Sequence, residues 1–200
     1  MEEARMPEAP YPQYHCPVCG KELPLEDARI TVTCSDHAPE TDVAFEVREA
    51  VPADKRDIEA ICDRAWGETE FDSFGVTFDV MSGINLVAEV DGSFAGLLSL
   101  AVHGGELAIV LLTVYPESQG SGVGSALLER AVGVATDKHL PFIKVATTND
   151  NIPALYFYQR QGFVISEVAR GLAADKHGSA EPGFSDIPVR DEIRLRRPVA

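Results

Sequence analysis

Short apolar runs bounded by glycine turns alternate along this chain with stretches whose apolar residues recur at helical spacing. The run NLVAEVDGSFAGLLSLAVHGGELAIVLLTV, from residue 85, reads as three strands joined by the turns Asp91-Gly92 and Gly104-Gly105. FEVREA, from residue 45, predicts an earlier strand, and Pro52 with Asp54 opens a helix that runs to about Trp66. Within that helix Ile58, Ile61, Cys62 and Ala65 fall on one face, which makes Cys62 a small core residue. Residues 67–82 predict a loop or a broken helix. SALLERAVGVATDKH then predicts a helix, FIKVATT a strand, PALYFYQRQG a short helix, FVISEVARG a strand and DEIRLRR the last strand. A long loop, 171–188, separates those two final strands. Strands and helices thus interleave along the chain from residue 45 onward.

The 200 residues hold 45% apolar side chains, enough for one ordinary domain and a small module. Residues 1–13, rich in proline and glutamate, predict a mobile tail, and 38–44 a linker. The formal net charge is −15, which argues against nucleic acid as a partner, since that recognition relies on clustered lysine and arginine. An acidic field draws in cationic amines, although solubility or adaptation to salt explains it equally well. No apolar run is long enough for a signal peptide or a membrane span, so a cytoplasmic chain with reduced thiols is expected.

That expectation bears on residues 14–38. Cys16-x-x-Cys19 and, after 14 residues, Cys34-x-x-His37 make two short knuckles with the spacing of a structural zinc ribbon. Three thiolates and one imidazole complete a tetrahedron with no open position for catalysis. A disulfide pair or scattered free thiols are the other readings, and His15 competes with His37 as the fourth ligand. Zinc would supply much of the folding free energy of so short a module.

Candidate chemistry is concentrated where the third long strand ends. ELAIVLLTV passes into the turn Gln119-x-x-Gly122-x-Gly124, and a helix begins at once. Glycines remove side chains where backbone meets ligand, and the free N–H groups of Gly120 to Ser125 converge on the positive end of the helix dipole. A pyrophosphate fits there without a lysine. A P-loop would need Lys and Ser or Thr after the last glycine, whereas Ser125 follows Gly124. A dinucleotide fold would want an acidic residue about 20 positions on, and HLPFIKVATTND supplies none before Asp150. A purely structural tight turn is the remaining alternative.

A second motif follows about 30 residues later: Asn151-x-x-Ala154, then Tyr158-x-x-x-Gly162-Phe163. Together the two motifs resemble the GNAT superfamily of acyl-CoA-dependent N-acetyltransferases. The resemblance covers roughly residues 45–197 and implies an α/β (α+β) domain there: a mixed sheet splayed between two central strands, flanked by helices, with acetyl-CoA in the V-shaped opening. It implies that the backbone of Leu112, Thr113 and Val114 pairs with the pantetheine arm. It further implies that Gln119, Gly120, Ser121, Gly122, Val123, Gly124 and Ser125 hold the pyrophosphate, and that Asn151 contacts the CoA arm. Tyr158 matches the tyrosine that protonates the leaving thiolate; a half-buried structural aromatic is the alternative reading. A phenol holds its proton at neutral pH and can hydrogen-bond to a departing sulfur.

The attacking amine must lose a proton. Glu106, two positions earlier than the glutamate some relatives carry on that strand, is the candidate base and Glu89 a second; a plain solvated strand-end carboxylate is the other reading of each, and an ordered water the alternative to both. His177 and Phe184, in the loop that borders the acceptor in such folds, and Arg190 just after it are substrate-contact candidates. The expected reaction is direct transfer to a primary amine in a ternary complex, with a homodimer as the assembly the resemblance allows. A non-catalytic acyl-CoA-binding or protein-interaction module that uses the ribbon is the competing reading, and a dinucleotide-binding domain a third.

Overall fold

The computed structural model of the chain describes residues 14–15, 22–23, 44–177, 183 and 186–199. The chain divides into two compact units, Met1–Asp42 and Val43–Ala200. In the first, strand β1 (Tyr14–His15) pairs antiparallel with β2 (Glu22–Leu23). Cys16, Cys19, Cys34 and His37, the expected zinc ligands, lie outside the described residues, as does Phe184. Among the described residues no group of three or more His, Cys, Asp or Glu could hold a metal ion, and no helix is long and apolar enough to cross a membrane.

The second unit is built on a seven-stranded sheet. Its strands are β3 (Phe45–Glu49), β6 (Ile84–Val90), β7 (Ser93–His103), β8 (Glu106–Val114), β9 (Phe142–Thr148), β10 (Val164–Ala169) and β11 (Glu192–Pro198). They lie in the order β10-β11-β9-β8-β7-β6-β3, and every neighbouring pair is antiparallel except β8 and β9. Helices α1 (Lys55–Trp66), α2 (Val123–Asp137), α3 (Ile152–Arg160) and α4 (Leu172–His177) belong to the same unit. A hairpin of β4 (Glu70–Ser73) and β5 (Val76–Asp79) stands where a loop or broken helix was expected.

The alternation along the strands sorts their side chains between two faces. Leu86, Leu98, Leu100, Leu107 and Ile109 meet Val123, Leu127, Leu128 and Ala131 of α2 in the larger core. Val87, Leu97 and Leu111 face the other way, toward Ile58, Ile61 and Cys62 of α1. Each such leucine, taken fully out of water, contributes about 1.5–3 kcal/mol. Leu107, Ile109 and Leu111 share one parity, yet Leu111 lies on the opposite face. The cause is a bulge. Ser99 pairs with Leu111 and Leu100 with Ile109, so Val110 is an extra residue that flips the strand and bends it.

Two devices fix the ends of α1. Pro52–Asp54 form a 3-10 turn at its start, and Gly67, at φ 75°, caps its end by donating to the carbonyls of Cys62 and Asp63. Asp54 accepts from Arg48 at 2.7 and 2.8 Å and from the Val51 N–H at 2.6 Å. Arg48 also holds Glu89 in an ion pair.

Candidate active site

Strands β8 and β9 pair in parallel only through Leu107–Ile143, Ala108–Lys144 and Ile109–Val145. Beyond those pairs β8 continues to Val114 and β9 to Thr148, one bent by the bulge at Val110, and no further pairing joins them. A cavity of about 480 Å³ opens in the gap. Val110 to Leu112 form one wall and Ala146 to Thr148 the other, with Asn151 and Tyr158 of the third-helix region also lining it. The edge of β8 that faces the gap carries backbone N–H and C=O groups with no strand beside them, a template that an extended amide-containing ligand can pair with.

The glycine turn follows directly from β8. Tyr115 leads into a 3-10 turn, Pro116–Ser118, and Gly120 and Gly122 take φ values of 80° and 94°. Those are left-handed conformations that a residue with a Cβ adopts only under strain. Gly122 is the N-cap of α2, and the first intrahelical bond runs from the Ala126 N–H to the Gly122 carbonyl. The N–H groups of Val123, Gly124 and Ser125 precede that ladder at the positive end of the helix dipole. Gln119 donates from Nε2 to the Val114 carbonyl at 2.9 Å, and Ser121 Oγ donates to the Ser118 carbonyl at 2.7 Å. These side chains therefore shape the turn.

The two sequence motifs meet in space. A Cβ on Gly124 would touch the Phe157 ring of α3 at 3.4 Å, and Gln161 Nε2 donates to Ser125 Oγ at 2.8 Å. Asn151 caps α3: its Oδ1 accepts from the Ala154 N–H at 3.2 Å, which accounts for the spacing between those two residues. Tyr158 is buried, 6% exposed, with Phe157 and Phe163 set edge-on at 5.4 Å each. Burial pushes its phenol above the ordinary value, so it stays protonated through the neutral range.

Two candidate bases are held in ion pairs. Glu106 begins β8, at the closed end of the splay; it pairs with Lys144 at 3.6 Å and with Arg196 and does not line the cavity. The sequence registers its face of the strand but not the cations that β9 and β11 bring to it. Glu89 is bound to Arg48. The carboxylates that do line the cavity are Asp72, Asp150 and Glu192, and Arg194 Nε donates to Glu192 at 2.8 Å. Arg190 is exposed and ion-paired with Asp191 at 2.8 Å; for His177 only the backbone, in α4, is described.

Residues 52–163 match the Acetyltransferase (GNAT) family. The chain belongs to this family. It is 31% identical over 144 residues to YxbD, an uncharacterized protein of Bacillus subtilis, which spans 69% of this chain and 89% of that protein. YdhI, also uncharacterized and from Bacillus subtilis, is 33% identical over 137 residues, 64% of this chain and 82% of its own. A GNAT acetyltransferase of Elizabethkingia anophelis, solved with acetyl-CoA bound, superposes with a TM-score of 0.58 at 20% identity over 77% of this chain and 97% of that one. That last likeness concerns the fold.

Two parts of this GNAT protein's site escape a reading of the sequence alone. The bulge at Val110 has no glycine to announce it, and residues 107–112 are apolar without a break, so no change in alternation marks it. The hairpin contributes Phe71, Asp72 and Ser73 to the cavity, beside Trp66 at the end of α1. Its turn is Phe74-Gly75, not one of the Asn-Gly or Asp-Gly pairs that mark hairpins.

Proposed function

We propose that this GNAT acetyltransferase transfers an acetyl group from acetyl-CoA to a primary amine by direct attack in a ternary complex. The observation that carries the reading is the gap between β8 and β9: an unpaired strand edge runs from the cavity into a glycine turn at a helix start. Acetyl-CoA would lie along that line, its pantetheine arm beside Leu112 to Val114 and its pyrophosphate on the N–H groups of Gly120 to Ser125. The amine lone pair attacks the thioester carbonyl carbon, the C–S bond breaks, and the sulfur leaves as thiolate facing the Tyr158 hydroxyl. The proton released by the amine passes to water in the open cleft, so Glu106 has no part in the reaction.

Direct transfer is favoured over an acyl-enzyme by the placement of Cys62. It lies on the buried face of α1, and burial pushes its thiol up to about 11, well away from nucleophilic thiolate. A cytoplasmic location and a dimer belong to the same reading.

The spacing of Cys16, Cys19, Cys34 and His37 supports a structural zinc ion, which metal analysis of protein purified without added metal tests. One equivalent released only by a chelator is expected. Metal-free folded protein would remove the zinc. Calorimetric titration with acetyl-CoA, with NAD as the comparison, followed by thiol release on an amine panel, tests the reaction itself. Binding without turnover of any amine would favour a non-catalytic acyl-CoA-binding module that works through its ribbon.

A further inference from the structure

The turn of the β4–β5 hairpin places an aromatic side chain where one is seldom found. Phe74 and Gly75 take φ values of 55° and 79°, the two-residue turn with both central residues left-handed. Such a turn selects asparagine, aspartate or glycine; a bulky ring there persists only when its surroundings hold it. The surroundings here are cationic. Lys144 Nζ stands 4.6 Å from the centre of the Phe74 ring and the Arg194 guanidinium 5.6 Å from it.

Both cations are themselves fixed. Arg194 donates to both carboxylate oxygens of Glu167, at 3.0 and 2.9 Å, and to Glu192 at 2.8 Å. Lys144 is 3.0 Å from His103 Nδ1 and 3.6 Å from Glu106. The His103 ring lies 6.2 Å from Phe74 and edge-on to Phe78 at 5.7 Å. The hairpin thus rests through its tip and one strand on a ledge formed by β7, β9 and β11. Its other strand supplies Phe71, Asp72 and Ser73 to the cavity, and Phe71 stands edge-on to Trp66 at 6.0 Å.

We propose that Phe74 is a positioning residue: its ring, held over Lys144 and Arg194, clamps the β4–β5 hairpin so that Phe71, Asp72 and Ser73 form the acceptor side of the cleft. The word acceptor rests on the acetyl-transfer reading; the clamp does not. A ring-to-cation contact requires an aromatic quadrupole, so tyrosine preserves it and leucine, of similar apolar character, does not.

The test uses the full chain with Phe74→Tyr, Phe74→Leu and Phe74→Ala. Three readouts are taken: kcat and KM for whichever of spermidine, tyramine and glycylglycine turns over fastest, acetyl-CoA affinity by calorimetry, and the emission and acrylamide quenching of Trp66, the chain's single tryptophan. Leucine and alanine should raise the amine KM about tenfold with kcat and acetyl-CoA affinity nearly unchanged, while tyrosine stays within about twofold of wild type. Trp66 should become more quenchable in the same two variants and not in the third. Unchanged KM and quenching in Phe74→Ala would overturn the clamp, and so would a leucine variant that matches tyrosine on both. If Phe74→Ala does not fold, Lys144→Gln, which keeps the ring and removes a cation, is judged by the same readouts. A wild-type chain that turns over none of the three amines would count against the reaction, and Trp66 would still decide the clamp.

Discussion

Replacing Tyr158 with phenylalanine removes one oxygen and leaves the rest of the site in place. The ring keeps its edge-on contacts with Phe157 and Phe163, both at 5.4 Å, so folding stability should change by about 1 kcal/mol or less. The loss falls on the transition state. A hydrogen bond from a neutral donor to a developing thiolate contributes roughly 1.5–3 kcal/mol, which at about 1.36 kcal/mol per decade is about 10- to 150-fold in kcat. Burial raises the phenol's pKa above its ordinary value, and an ordinary thiol sits near 8.5, so full proton transfer to the sulfur runs uphill. The hydroxyl therefore acts mainly by donating a hydrogen bond. Steady-state thiol release at saturating amine, with acetyl-CoA affinity measured by calorimetry, should show kcat falling at least tenfold while affinity barely moves. A kcat within about twofold of wild type would refute the role, and an equal loss of affinity and kcat would assign Tyr158 to packing instead.

Gly122→Ala forces a side chain into a left-handed conformation at φ 94°, so we expect a loss of about 1–2 kcal/mol in chemical denaturation and at least a tenfold loss of acetyl-CoA affinity. Glu106→Gln should leave kcat within about threefold but lower stability by roughly 1–2 kcal/mol, because Lys144 and Arg196 lose their shared counter-charge; a large fall in kcat with stability intact would restore Glu106 as a base. Arg48, and after it the Val51 N–H, hold the Asp54 carboxyl below its ordinary 3.8, so its stabilisation is present above that pH and is lost as pH falls through the lower folded value. Asp54→Asn should accordingly be about 2 kcal/mol less stable at pH 7 and converge with wild type under acid, which urea titrations at the two pH values check.

Most of the architecture was legible because alternation and helical spacing are local. The strands around Asp91-Gly92 and Gly104-Gly105, the helix after Gly124 and the helix before Gly162 all lie where the pattern predicts them. The β4–β5 hairpin was not, because its strands are short and polar and its turn depends on cations that lie 70 and 120 residues further along the chain. The helix Leu172–His177, inside a segment read as loop, is short for the same kind of pattern to reveal. Asn151 shows a different limit: its spacing to Ala154 reads as a binding motif, and the capping bond it makes is a local requirement of the same spacing. Glu106 shows a third, since a carboxylate's partners belong to the tertiary fold.

The early parting of β8 from β9 leaves the sheet unfinished at its middle, where a sheet is ordinarily strongest. A ligand seated in that gap would supply the missing strand, so occupancy and folding would be thermodynamically linked. With free ligand a hundredfold above its Kd, the linkage adds about 2.7 kcal/mol to the folded state. The chain's resistance to heat and proteolysis would then rise and fall with the supply of acyl-CoA around it, making its lifetime a record of that supply.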